Sequence, residues 1–283
     1  MRNANVALLQ LCSGSNIRAN LAQIEQQIKQ LPASVKLVIT PENALLFASG
    51  DDYKEHAEHE GEGPLQQAII DIAKRYNVWL LVGSMPLFSK DNPEQITTSS
   101  LLFDNQGTLQ ARYDKLHMFD VNIADSHGRY NESDIYQHGE HITVVDTPVG
   151  RLGMTICYDL RFPSLFQALR DQGAEIIVVP AAFTRVTGEA HWEILLRARA
   201  IENQCWVLAA AQVGRHSESR STWGHSVVID PWGTIIVENA DAVSSIKAKV
   251  DCSGIAELRQ KIPVAAHNRF QSVLVSSLDK SEK

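Results

Sequence analysis

Two halves of this chain echo one another, and the echo limits what it can fold into. LVITPE (37–42) parallels IVVPAA (177–182), each an apolar β-rich run stopped near a proline. WLLVGS (79–84) parallels WVLAAA (206–211), and LLFDNQGTL (101–109) parallels VVIDPWGTI (227–235). Each half reads strand, helix, strand, hairpin. A unit of that kind has an apolar sheet face that it cannot bury alone. Two such units bury each other's sheets face to face, with helices outside. The expected fold is therefore α/β, a four-layer α-β-β-α sandwich.

Hydrophobic periodicity places the elements. Strands are expected at residues 5–11, 36–40, 78–83, 175–179, 205–210 and 243–250. Hairpins are expected at 99–103 with 108–113, 143–146 with 151–156, and 227–230 with 234–237, each across Gly- or Pro-containing turns. Helices are expected at 16–31, 64–76, 161–172, 188–203 and 253–260. Ser15 or Asn16 suits the first helix as a cap, and Pro64 suits a first turn. Residues 116–141 show no period, and an aperiodic stretch this long inside a compact domain is usually functional. One domain is expected over 1–255, with 256–283 a C-terminal extension whose polar tail beyond Ile262 is ordered only by docking elsewhere.

Composition excludes several function classes. A formal net charge of −7 disfavours non-specific binding of nucleic acid or of an anionic membrane. No apolar run approaches the roughly 18 residues of a membrane span, and the run in MRNANVALLQLC is too short for a signal peptide. Cys12, Cys157, Cys205 and Cys252 are far apart and form no CxxC pair, which fits a reducing cytoplasm. Cys12 and Cys205 lie in apolar runs and read as small buried hydrophobes. Glu55, His56, Glu58, His59 and Glu60 look metal-like on paper, but they lack a defined third ligand and read as a solvated acidic face. No metal and no cofactor is expected. Arg197, Arg199 and Glu202 read as ion pairs along one helix or as interface residues, and Trp79, Trp206 and Trp232 as core and turn packing.

Three residues at strand ends carry the chemistry. Cys157 stands between a buried strand and a helix start, where the following backbone N–H groups can face an oxyanion and the helix end favours thiolate. Glu42 follows a strand and a proline, a position where partial desolvation brings a carboxylate into general-base range. Lys115 ends a hairpin strand and suits a developing negative charge. Singly, each has a commoner role: a packed core cysteine, a solvated loop carboxylate, a surface lysine.

Together they resemble something specific. PENALLF, DKLHMFD and GMTICYDLRFP are similar to the three motif blocks of the nitrilase (carbon–nitrogen hydrolase) superfamily, and the resemblance runs from ANVALLQ to the final strand. It implies the α-β-β-α sandwich, with Glu42 as general base and acid, Lys115 as transition-state stabiliser and Cys157 as nucleophile. Glu132, in YNESDIYQHGE, matches the additional glutamate that members carry between Lys and Cys. The resemblance also implies a homodimer or larger assembly.

CYDLRFP, PAAFTRVTGEAHWEILLRARAIENQCWVLAAAQVGRH and WGHSVVIDPWG resemble one branch, the deaminated glutathione amidases. Its substrate is glutathione whose glutamyl amine has become a ketone, split to 2-oxoglutarate and cysteinylglycine. An oxoacid needs cationic or polar anchors, and Tyr158, Arg161, Phe183, Thr184 and Arg185 are the candidates. Arg161 serves equally as a structural ion pair, Thr184 and Arg185 as a solvated loop, and Phe183 as core. The same chemistry also suits 2-oxoglutaramate (an omega-amidase) or an N-carbamoyl amide. A non-catalytic binding scaffold and a metal-dependent hydrolase are the readings of another class.

Overall fold

The computed structural model describes residues 3–275. The first half supplies β1 (Asn3–Leu9), α1 (Ile17–Lys29), β2 (Val35–Ile39), α2 (Gly50–Glu55), α3 (Pro64–Tyr76), β3 (Trp79–Phe88), β4 (Ile96–Phe103) and β5 (Leu109–Asp114). A short pair, β6 (Asp120–Asn122) and β7 (Arg129–Asn131), follows. The second half supplies β8 (Val144–Thr147), β9 (Gly150–Met154), α4 (Pro163–Asp171), β10 (Ile176–Val178), α5 (Arg185–Asn203) and β11 (Trp206–Ala209). It continues through β12 (Val213–Arg215), β13 (Ser221–Trp223), β14 (Ser226–Ile229) and β15 (Ile235–Asn239) to β16 (Ser245–Asp251), α6 (Ile255–Lys261) and α7 (Val264–His267).

Two six-stranded sheets result, ordered β16-β1-β2-β3-β4-β5 and β8-β9-β10-β11-β14-β15. Read in that order, both run antiparallel, parallel, parallel, antiparallel, antiparallel. The sequence echo is thus a repeat of topology. One strand breaks the symmetry of chain order. β8 directly precedes its neighbour β9, whereas β16 returns from the far end of the chain to pair with β1, Val6 opposite Ala248. The strand expected at 243–250 therefore closes the first sheet and ties the two halves together.

Strand alternation sorts side chains between layers. Val6, Leu8, Leu37, Ile39 and Leu81 join the core shared with the second sheet. Their neighbours Ala7, Leu9, Val38, Leu80 and Val82 pack instead with Ile24 and Ile28 of α1 and Ile69 and Ile72 of α3. Phe166 of α4 and Trp192 and Leu196 of α5 belong to the core around the second sheet. The four layers are those expected.

Several boundaries differ, each for a local reason. Asn16 is the cap of α1, its side chain accepting from the Ala19 N–H. The helix expected at 161–172 is split. Residues Cys157–Arg161 form a 3₁₀ turn, and α4 begins at Pro163, whose ring suits a first turn and forces Phe162 into extended backbone. α5 starts three residues earlier than expected because Thr184 caps it, accepting from the Thr187 N–H. The 116–141 stretch holds β6, β7 and a 3₁₀ turn at Glu132–Asp134. α2 and the β12–β13 hairpin had no periodic signal. Trp232, expected to pack in its turn, is 64% exposed. Glu58 leaves the acidic face: it is buried, and its carboxylate accepts from the Leu65 and Gln66 N–H groups at the start of α3.

Candidate active site

The carboxyl ends of β2, β9 and β10 open on one cavity of about 240 Å³. Ligands in open α/β sheets bind at such strand ends. Glu42 lies just past β2, Lys115 just past β5 and Cys157 just past β9; all three line the cavity, as does Glu132. Gly83 on β3 makes room for the first of these turns, since a Cβ there would stand 2.3 Å from the Pro41 carbonyl oxygen.

Lys115 is 1% exposed, and an ammonium that deep requires partners. It has two carboxylates. Nζ lies 2.9 Å from Glu42 Oε1 and 2.9 and 2.8 Å from the two oxygens of Glu132. Burial alone would pull the ammonium down, but Glu132 and Glu42 outweigh it and hold Lys115 well above its ordinary value. For Glu132 the balance is reversed: burial raises its carboxyl, and Lys115 only partly opposes this. Glu132 Oε2 also accepts from the Phe119 N–H at 2.7 Å. Glu42 Oε2 accepts from the Ala182 N–H at 2.9 Å, and the Glu42 carbonyl from the Gln212 side chain at 3.0 Å. The first half's carboxylate is thus held by the second half's equivalent strand end.

Cys157 sits in left-handed backbone, φ +48°, and its N–H donates to the Pro180 carbonyl at 2.9 Å. A non-glycine residue there is strained, and such strain gathers at functional sites. Burial pushes the thiol well up, the charge and hydrogen bond of Glu42 push it further, and Lys115 opposes them. The resting group is therefore the thiol, not the thiolate expected at a helix start; the 3₁₀ turn is too short to outweigh burial and Glu42. Behind it, fully buried Asp159 accepts from the Ile156 N–H (2.9 Å), the Tyr113 hydroxyl (2.7 Å) and His117 Nδ1 (2.7 Å). That carboxylate joins the Cys157 turn to the strand that carries Lys115.

Of the expected substrate residues, Tyr158, Arg161, Phe183 and Thr184 line the cavity. No carboxylate forms an ion pair with Arg161 among the described residues; its guanidinium lies 5.9 Å from the Tyr158 ring centre and 5.2 Å from that of Phe183, with His191 Nδ1 at 3.3 Å. The ion-pair alternative for Arg161 is thereby corrected. Arg185 does not line the cavity. It is exposed on the first turn of α5, because the residue after an inward-facing cap is turned outward by the helical rotation, and it borders a separate outer groove. Asn43, Phe119, His127, Tyr130, Thr187 and Arg220 also line the cavity and were not expected. Asn43, Phe119, His127 and Arg220 lie on loops and Tyr130 on a short strand, so only the pairing of those segments reveals them, whereas Thr187 faces the cavity from the first turn of α5. Among the described residues no cluster of three or more His, Cys, Asp or Glu could hold a metal ion, and no helix is long and apolar enough to cross a membrane.

One lining loop carries a pH-sensitive contact. His216 donates from Nδ1 to the Ser13 carbonyl and accepts at Nε2 from Thr222 Oγ1, both at 2.7 Å, and stacks on Phe47. Burial, with Arg220 adding to it, lowers its pKa to about 4, against the Ser13 hydrogen bond. The unfolded chain therefore protonates first. The contribution is whole above the ordinary histidine range near pH ~6.5 and is lost as pH falls toward about 4. Discounted for partial exposure, it is about 2 kcal/mol. His216→Gln is expected to flatten the stability profile between those limits in urea titrations; parallel profiles would show that His216 does not titrate there.

Residues 5–260 match the sequence profile described as carbon-nitrogen hydrolase. The chain is 68% identical over 283 residues to a Yersinia enterocolitica protein named deaminated glutathione amidase, covering 100% of this chain and 99% of that one. It is 36% identical over 270 residues to the Homo sapiens protein of the same name, covering 93% and 82%. Among solved structures, the Saccharomyces cerevisiae Nit3 protein, described as a member of branch 10 of the nitrilase superfamily, superposes with TM-score 0.82 at 31% identity over 95% of this chain and 97% of that one. The C. elegans NitFhit protein superposes with TM-score 0.83 at 35% identity over 94% of this chain, which spans 65% of that longer protein. Fold, motif blocks and full-length similarity agree: the chain belongs to the carbon–nitrogen hydrolase family of the nitrilase superfamily and is a hydrolase of carbon–nitrogen bonds.

Proposed function

We propose that this protein is an amidase that splits deaminated glutathione into 2-oxoglutarate and cysteinylglycine, a metabolite-repair reaction, through a thioester on Cys157. The observation that carries the substrate is the 68% identity over the whole length to an amidase of that name. The chemistry is supported by the convergence of Glu42, Lys115 and Cys157 on one cavity.

In this reading Glu42 takes the thiol proton as Sγ attacks the amide carbon. The developing oxyanion is held by the Lys115 ammonium and the Tyr158 N–H. As the C–N bond breaks, Glu42 returns the proton to the departing amine of cysteinylglycine. Water, deprotonated by Glu42, then attacks the thioester and releases 2-oxoglutarate, and the sulfur is reprotonated. Glu132 keeps Lys115 charged and aimed. Arg161, seated on aromatic rings with no carboxylate partner among the described residues, anchors the oxoacid carboxylate, beside Phe183 and Thr184.

The reading extends to assembly and location. Residues 1–255 form the catalytic domain and 256–283 an extension; Ile255 is the last buried residue among those described. A homodimer or larger oligomer is supported by exposed Ile194 and Ile201 on α5. A reducing cytoplasm is supported by the spacing of Cys12, Cys157, Cys205 and Cys252, which form no CxxC pair. The test compares 2-oxoglutarate release from deaminated glutathione and from 2-oxoglutaramate with ammonia release from an N-carbamoyl β-amino acid, with Cys157→Ala as control. Release by the parent alone, fastest from deaminated glutathione, is expected. Preference for either of the other two amides would overturn the substrate.

A further inference from the structure

We propose that Arg220 is a second carboxylate anchor, which binds the far end of the leaving group and makes the site selective for amides that are anionic on both sides of the scissile bond. The inference rests on the deaminated glutathione reading, and assigns a role to a residue that carried no signal in the sequence.

Arg220 lies on the hairpin between β12 and β13 and lines the same cavity as Cys157. Its guanidinium lies 5.1 Å from the ring centre of Phe47 and 5.0 Å from that of Tyr130. Neither ring is among those that seat Arg161, so the two guanidinium groups rest on different aromatic pairs. No carboxylate pairs with Arg220 and no acceptor takes its side-chain N–H groups among the described residues. An arginine seated on two aromatic faces keeps its planar fork of donors free for an incoming carboxylate. The hairpin is also held in place from the other half of the chain: Ser126 Oγ donates to the Ser219 carbonyl at 2.9 Å, and His127 Nδ1 lies 3.4 Å from Ser219 Oγ. Arg220 is therefore positioned, unlike a solvated surface arginine.

The two arginines divide the substrate by chemistry. The acyl half stays attached to Cys157 through the thioester, so its anchor belongs on the nucleophile's own segment, where Arg161 lies four residues on. The amine half must depart. Arg220 borders both the cavity and the outer groove that Arg185 and Arg215 also line, so it stands on the way out. Cysteinylglycine ends in a glycine carboxylate, the group a guanidinium at that place would take.

Three substrates read the assignment: deaminated glutathione, the same molecule with its terminal carboxylate converted to an amide, and 2-oxoglutaramate, which has no carboxylate on the leaving side. Arg220→Gln is expected to lower kcat/KM for deaminated glutathione by about 10–100-fold, the loss of one charge-assisted pair. It should change 2-oxoglutaramate turnover by less than about threefold on the same scale. The parent should lose the same factor on the terminal amide, and Arg220→Gln should lose nothing further there. Arg161→Gln should weaken all three. Equal losses for Arg220→Gln on all three substrates, or continued discrimination between acid and terminal amide by that variant, would overturn the assignment. Failure of the substrate reading would look different: the parent itself would turn over 2-oxoglutaramate but not deaminated glutathione.

Discussion

Cys157→Ala is expected to lower amide turnover by about 10⁵-fold or more, because residues that act as a unit lose nearly everything when the nucleophile goes. The same variant should keep its fold, with a thermal midpoint within a few degrees of the parent. The reason lies in what the sulfur does at rest. It is a thiol that Glu42 accepts from, and Glu42 keeps its stronger partners, Lys115 Nζ at 2.9 Å and the Ala182 N–H at 2.9 Å, without it. Alanine also carries a Cβ, so the left-handed backbone at φ +48° is no worse than in the parent. Cys157→Gly separates that strain from the chemistry. Glycine adopts this backbone without penalty, so this variant should be at least as stable as Cys157→Ala and equally inactive. Calorimetry with a 2-oxoglutarate assay decides both. Turnover above 1% of the parent in either variant would remove Cys157 from the mechanism.

What the sequence could and could not reveal follows from where each signal lives. Glu42, Lys115 and Cys157 were legible as cavity-lining positions because each comes within three residues of a strand end, and strand ends are marked by periodicity and by proline. The stacking of two similar sheets was legible in the echo of LVITPE and IVVPAA, because equivalent strands of two stacked sheets face similar surroundings. The partner of β16 was not. Alternation marks a strand but not its neighbour, and β16 pairs with a strand more than two hundred residues earlier. Arg185 was misplaced by one position: Thr184 turns inward as the cap of α5, and the next residue points to solvent. Arg220 was invisible for a different reason. RHSESRS is a polar run with no period, and its place beside the cavity depends on contacts between Ser219 and residues 126 and 127, ninety-odd positions away. The strand ends that meet at the cavity are written in local pattern, whereas the loops that complete its walls are written in long-range pairing.

Lys115→Met carries the largest combined effect, on stability and rate together. In the parent one buried ammonium serves three carboxylate oxygens. Removing it leaves the largely buried carboxylates of Glu42 and Glu132 close together without the cation between them, and two carboxylates so placed cannot both stay ionised. Breaking a buried ion pair from one side typically destabilises by about 3–5 kcal/mol. Turnover should fall by about 10³–10⁴-fold, since the charge that stabilises the oxyanion is gone. The stability loss should depend on pH in a stated direction. Burial already raises Glu132, and loss of Lys115 raises it further. A carboxyl whose folded pKa lies above its unfolded value contributes stability that is whole below the unfolded value and lost as pH rises through the folded one. The deficit relative to the parent should therefore be smallest near pH ~4 and grow toward neutrality. Adding Glu132→Gln removes one of the two opposed charges, so the double variant should regain part of the stability at neutral pH and none of the activity. Urea titrations at several pH values measure the first, and product release measures the second. If Lys115→Met were as stable as the parent at neutral pH, the carboxylates would have to reach water or another cation, and the closed arrangement around Lys115 would not be what holds them.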